Sequence, residues 1–232
     1  MDKSIKARPL LMATRLLIGG RIMIAAAVTA LAGCGSADPV AYSGLASSSY
    51  LKPDPQDGSG HVPFRYATQV DWRRYSRAIV DPVTVYRGPD QQFGDMSEED
   101  KTALATYMQS QFAEKLGSRF AIAGDPAPNT LRVRLTLTGA ATSTPVLSTL
   151  SRFDIAGGLY NGVQTVRGGE GTLTGSVLYA VEIYDAPSNR LLGAYVSKQY
   201  PGPYNIPASL GSLDAAKTGI EKGAAALVAQ LK

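Results

Sequence analysis

Between Thr130 and Thr138 the chain alternates without a fault. Leu131, Val133, Leu135 and Leu137 hold one parity; Arg132, Arg134, Thr136 and Thr138 hold the other. Successive side chains on a strand point to opposite faces, so a strict period of two demands a strand with one buried and one wet face. A sheet is therefore required, with something packed on its apolar side. The two arginines fall on the wet side by the same geometry.

Other segments supply the rest of that sheet and its cover. Thr172–Asp185 and Arg190–Gln199 read as a hairpin about Ala186-Pro187-Ser188-Asn189, with Val177, Tyr179, Val181 and Ile183 on one face of the first arm. Arg77 to Tyr86 is rich in β-branched and aromatic residues. Pro82 removes one ladder donor, so this strand lies at an edge or bulges there. Asp71-Trp72 precedes it, and the indole is either a lid packed over the core or the lining of a groove. Ser97-Glu98-Glu99-Asp100 opens a helix: a capping serine, then acids where the helix dipole favours negative charge. Leu104, Met108, Phe112 and Leu116 recur every four residues behind it, and Gly117 is the expected stop. Arg119–Ala123 reads as a short strand. A second helix is expected from Ser212 to Leu231; Gly219 and Gly223 each cost roughly 1 kcal/mol there relative to alanine. Their spacing points to close packing of helix on sheet. The order of elements predicts an α+β fold, a two-layer sandwich of a mainly antiparallel sheet with two main helices on one face.

The first 33 residues carry a different pattern. Lys3, Lys6, Arg8, Arg15 and Arg21 surround and precede an apolar run, Ile22–Leu31, that ends in Leu31-Ala32-Gly33-Cys34. A secretory leader has a positive start, an apolar core of roughly 7–15 residues and small residues at the cut. Residues 1–33 thus read as a lipoprotein signal peptide, cleaved between Gly33 and Cys34, whose thiol then carries lipid. A membrane span is the competing reading of Leu16–Gly33, but Arg21 interrupts it, and a central arginine costs at least ~2.5 kcal/mol on insertion scales. Cys34 is the only cysteine, so no disulfide staples the rest of the chain. The leader holds five of the 23 Lys and Arg and one of the 19 Asp and Glu, leaving 18 of each and no net charge. The apparent basicity belongs to the leader, and no clustered cationic surface invites nucleic acid.

Residues 34–60, rich in Gly, Ser, Pro and Asp, read as the lipidated cysteine and an extended tether, with Tyr50 and Leu51 as the residues that could dock. Residues 61–232 then form one domain. Residues 140–171 have no steady period. Within them Ile155, Leu159 and Tyr160 are apolar, and with Trp72 they make a candidate binding surface between sheet and helices.

Reactive groups are scarce. His61, the only histidine, lies at the end of the tether, where it cannot be held against a nucleophile. With no second histidine and no free cysteine, a zinc site or a nucleophilic triad is not expected, and no cofactor motif is present. Asp81 and Glu182 are the acids set within strong strand patterns, and spacing does not bring them together. No catalytic residue, metal or cofactor is expected.

Taken in order, Leu31-Ala32-Gly33-Cys34, Tyr50-Leu51-Lys52-Pro53, Asp71-Trp72-Arg73-Arg74-Tyr75, Ile79-Val80-Asp81-Pro82-Val83, Ser97-Glu98-Glu99-Asp100 and Pro145-Val146-Leu147-Ser148-Thr149 resemble an uncharacterised proteobacterial lipoprotein family, domain of unknown function three-three-one-three. The resemblance spans nearly the whole chain after Cys34. It implies an exported, lipid-anchored protein without catalytic residues to carry over. Ser36 is not the aspartate that retains such proteins at the inner membrane, so the family's sorting rule implies the outer membrane, facing the periplasm. The expected partners are the membrane, through the lipid, and a protein or other envelope component. A small molecule or lipid in a pocket is the alternative.

Overall fold

The computed structural model describes residues 38–142, 175–202, 205, 208 and 211–232. Among them the strands are β1 (Lys52–Pro53), β2 (Phe64–Ala67), β3 (Arg77–Val80), β4 (Thr84–Val85), β5 (Ala121–Ile122), β6 (Thr130–Ala141), β7 (Ser176–Asp185) and β8 (Arg190–Gln199). The helices are α1 (Glu98–Gly117) and α2 (Asp214–Gln230). The strands form one sheet in the order β1-β2-β8-β7-β6-β3-β5, with β4 also paired to β6. From β1 to β6 every pairing is antiparallel, while β3 and β4 on β6, and β5 on β3, are parallel. The α+β class and its mainly antiparallel sheet are as the sequence predicts.

Helix α1 starts where its punctuation says. The Ser97 side chain accepts from the Asp100 amide, Glu98, Glu99 and Asp100 fill the first turn, and Leu104, Met108, Phe112 and Leu116 are buried. Both helices share one core with Leu131, Val133, Leu135 and Leu137 of β6 and Val177, Tyr179, Val181 and Ile183 of β7. A Cβ on Gly223 would stand 1.7 Å from the Tyr179 hydroxyl, and one on Gly219 would stand 2.8 Å from Val177 and 2.9 Å from the Gln199 carbonyl. Bare glycine backbone is what lets α2 lie this close to β7 and β8. The stretch from Arg77 to Tyr86 divides at Pro82. Val80 pairs with Val133 and Thr84 with Thr136, so this side advances four residues against three. The extra residue is a bulge, and the Val83 amide turns out to the Gln109 side chain at 2.8 Å.

One expectation is corrected. From Asp38 to residue 60 the chain is not an extended tether but part of the domain. Tyr42, Leu45 and Leu51 are buried, and β1 pairs with β2. They pack with Tyr86, Ala180, Ala194 and Val196 as a second core on the face opposite the helices. Turn-forming residues disfavour helix and strand without disfavouring order. Here they fold as successive turns, Leu45 amide to Tyr42 carbonyl, Ser48 to Leu45, and Leu51 to Ser47. His61 is likewise no linker residue: its carbonyl accepts from the Lys198 amide, its Nδ1 lies 2.9 Å from the Lys198 carbonyl, and its ring lies 4.5 Å from that of Tyr200. Backbone pairing beside β8 holds it in place.

Candidate functional site

The sheet has two ends, and they differ in chemistry. At one end lie the end of β6, the start of β7 and the loop after β4. Tyr86 and Gln92 are tied there to β6: the Tyr86 amide donates to Leu137, the Gln92 amide donates to Thr138, and the Ala140 amide donates to Gln92. A Cβ on Gly139 would meet the Gln92 carbonyl at 2.5 Å, so this close approach needs glycine.

The strap of residues 38–51 is buttoned onto that end and the adjoining sheet face. Gln92 Nε2 donates to the Asp38 carbonyl (2.7 Å) and the Tyr42 hydroxyl donates to Gln92 Oε1 (2.5 Å). The Ser43 amide donates to Asp90 Oδ2 (2.8 Å), and the Gly44 amide donates to the Tyr86 hydroxyl (2.9 Å). That hydroxyl itself donates to Asp90 Oδ1 (2.6 Å). Further along, the Ser47 amide donates to Glu182 Oε1 (2.6 Å), and both residues are buried. These bonds hold the Asp90 carboxyl below the usual carboxylate range, with the Tyr86 hydroxyl the main cause. Burial pushes the Tyr42 phenol up to about 12. A cleft of about 370 Å³ remains between strap and sheet, with Gly44, Leu45, Thr84, Arg87 and Glu182 among its walls.

Asp81 and Glu182 both flank Arg134, the former by contact and the latter by strand pairing. They do not form a carboxylate pair. Asp81 Oδ2 accepts from Arg134 Nε at 3.0 Å, with Arg132 Nε 3.5 Å from its other oxygen, while Glu182 holds the strap. The guanidinium of Arg134 also lies over the Tyr184 ring, 4.8 Å from its centroid. Among the described residues no group of three or more His, Cys, Asp or Glu is placed to hold a metal ion, and no helix is long and apolar enough to cross a membrane.

The opposite end carries Trp72. Asp71 caps a single 3-10 turn, Trp72–Arg74, by accepting from the Arg73 amide and side chain. Trp72 is half-buried against the helix-side core and its ring centroid is 6.4 Å from that of Tyr75. The Arg74 guanidinium lies over the Tyr75 ring, and the Tyr75 hydroxyl donates to Asp185 Oδ1 (3.1 Å). Arg73, with its side chain 83% exposed, and the exposed Lys232 join Trp72 around an open depression of about 820 Å³. The indole packs on the core and also forms one wall of the hollow. Ile155, Leu159 and Tyr160 of the candidate surface lie outside the described residues, as do Gly33 and Cys34. The strands that lead into residues 143–174, β6 and β7, reach them at the end of the sheet remote from Trp72.

Sequence reasoning missed the strap. A signal for it existed: Leu178, Ala180 and Tyr184 make the second face of β7 apolar too, and a strand apolar on both faces is covered on both.

The family model described as Protein of unknown function (DUF3313) matches residues 41–227. No functionally curated protein matches the sequence. Among solved structures, a PelC dodecamer from Paraburkholderia phytofirmans is similar at 11% identity and TM-score 0.34, covering 68% of this chain and 90% of that one. A DUF330 protein from Xanthomonas campestris is similar at 10% identity and TM-score 0.33, covering 66% and 81%. A putative neuraminyllactose-binding hemagglutinin homolog from Helicobacter pylori is similar at 8% identity and TM-score 0.29, covering 71% and 84%. Likeness at this level carries no argument about function.

Proposed function

The chain belongs to the family of proteins of unknown function DUF3313, and from that premise we propose that it is a lipid-anchored cell-envelope lipoprotein with a non-enzymatic binding domain. The lipid sits on Cys34, the membrane is the outer membrane, and the domain faces the periplasm. Its partner is a protein or other envelope component, engaged at the Trp72 end of the sheet. One observation carries the choice of surface. There, a half-buried indole stands beside the exposed cations Arg73 and Lys232 around an open hollow. Trp and Arg are the residue types that concentrate binding energy at protein interfaces. The two candidate carboxylates support the non-enzymatic half of the reading, since Asp81, just after β3, is tied to two arginines and Glu182 of β7 to the strap.

The anchor and the binder are tested separately. Cys34→Ala protein is expected in the soluble fraction or as uncleaved precursor; a processed form still in the membrane fraction refutes the lipoprotein reading. For the binder, crosslinked envelopes are purified on the wild-type protein and on Trp72→Ala/Arg73→Glu. The wild type is expected to return a reproducible partner that the double variant loses. Equal recovery on both proteins, or no specific partner on either, overturns it.

A further inference from the structure

Asp38 stands only four positions beyond Cys34. Stretched fully, four residues reach at most ~14 Å. From Asp38 onward there is no slack, because its carbonyl is held by Gln92, and Gln92 is in turn bonded into β6 through Thr138 and Ala140. A loose tether through residue 60, by contrast, would span roughly 25–30 Å on average and present any side of the domain. The point of attachment is therefore one end of the sheet. Strand β7 has ten residues, which places its two ends about 30 Å apart.

We infer that the strap is a mount: with lipid on Cys34, it sets the loop Tyr86–Gln92 against the bilayer headgroups and carries the Trp72 end away from them. This rests on the lipoprotein reading above. The mounted end exposes both signs of charge, Asp38 and Asp95 with Arg87, and the Arg87 guanidinium is paired with Glu98, so covalent reach rather than attraction to anionic lipid keeps it there. Its position is accordingly insensitive to salt, unlike a surface held by cations. The mount also explains why a segment of turns needs so many partners: every bond of the strap to Tyr86, Asp90 and Gln92 shortens the leash.

Two exposed prolines make matched reporters: Pro89, next to the strap ligand Asp90, and Pro187, in the turn between β7 and β8. Full-length lipidated protein carrying Pro89→Cys or Pro187→Cys is labelled with a fluorophore and reconstituted into phosphatidylethanolamine–phosphatidylglycerol vesicles with spin-labelled headgroups. Flotation with the vesicles reads the lipid anchor; quenching reads the orientation. Label at position 89 is expected to be quenched about threefold or more over label at 187, at low and high salt alike, given the ~14 Å reach. Inserting about twenty Gly/Ser residues between Ala37 and Asp38 is expected to level the two sites by lengthening the leash. Protein that floats but is quenched equally at both sites, or more at 187, overturns the mount alone. A contrast that survives the insertion also overturns it, because the leash is then not its cause. Protein that fails to float overturns the lipoprotein reading and the mount with it.

Discussion

Glu182 illustrates how much a single buried group decides. Its carboxylate accepts the Ser47 amide at 2.6 Å, with both residues out of water. Glu182→Ala leaves that amide without a partner, a loss of about 1–3 kcal/mol. Urea denaturation is expected to show the lower stability, and hydrogen exchange at Ser47 is expected to quicken; unchanged exchange refutes this role. Tyr42 gives the strap its pH dependence. Its phenol is raised from 10.0 to about 12 by burial, so the neutral form is favoured in the folded state. The stabilisation is fully present below about pH 10 and is lost as pH climbs toward 12. Limited proteolysis of the strap across alkaline pH is expected to accelerate over that range, and Tyr42→Phe is expected to remove this step. Gly223→Ala drives a methyl into the Tyr179 hydroxyl, and such overpacking costs about 1–3 kcal/mol. Gly124→Ala, with nothing within 4 Å of the new carbon, is the control, and equal thermal midpoints for the two refute close packing at Gly223.

At the scale of elements, local pattern and tertiary demand agree for most of the chain. Helix α1 and strands β6, β7 and β8 follow from capping and period, because each has an apolar stripe that only one secondary structure can align. The strap has no such period. Tyr42, Leu45 and Leu51 find their places through Tyr86, Ala180, Ala194 and Val196, which lie far along the chain. As an element it is expected to stabilise the domain like core. Leu45→Ala costs about 2–5 kcal/mol if the strap is packed as buried side chains usually are, and almost nothing if the segment is a free tether. Comparing denaturation midpoints of this variant and the wild type distinguishes the two. A chain beginning at Lys52 is expected to bind a hydrophobic dye at the uncovered second core, and no gain in dye fluorescence refutes the strap as its cover.

Over the whole molecule, the two ends of the sheet differ in what they pack and expose, not in the sign of their charge. Asp38, Asp95 and Arg87 are exposed at the strap end, and Asp71, Arg73 and Lys232 are exposed beside the half-buried indole at the other. Formal charge over residues 34–232 sums to zero, and composition does not record how the two ends differ. In the reading proposed above, with lipid on Cys34, one end would meet the membrane and the other would be offered to partners.

The sequence by itself determined the strands from Arg77 onward, both helices and the close packing of α2 on the sheet, and it narrowed Pro82 to an edge or a bulge. Each rests on periodicity or on backbone chemistry within a few residues. Strands β1 and β2 and the bulge itself came from the structure. The family resemblance was also legible there, in the order of short motifs. Only the tertiary structure decided that residues 38–60 belong to the domain, that Glu182 is a buried acceptor and that His61 is held beside β8. Those outcomes depend on contacts such as Ser47 with Glu182, 135 positions apart. No local pattern records such a contact, because the strap gains its order from burying the second face of the sheet rather than from any propensity of its own.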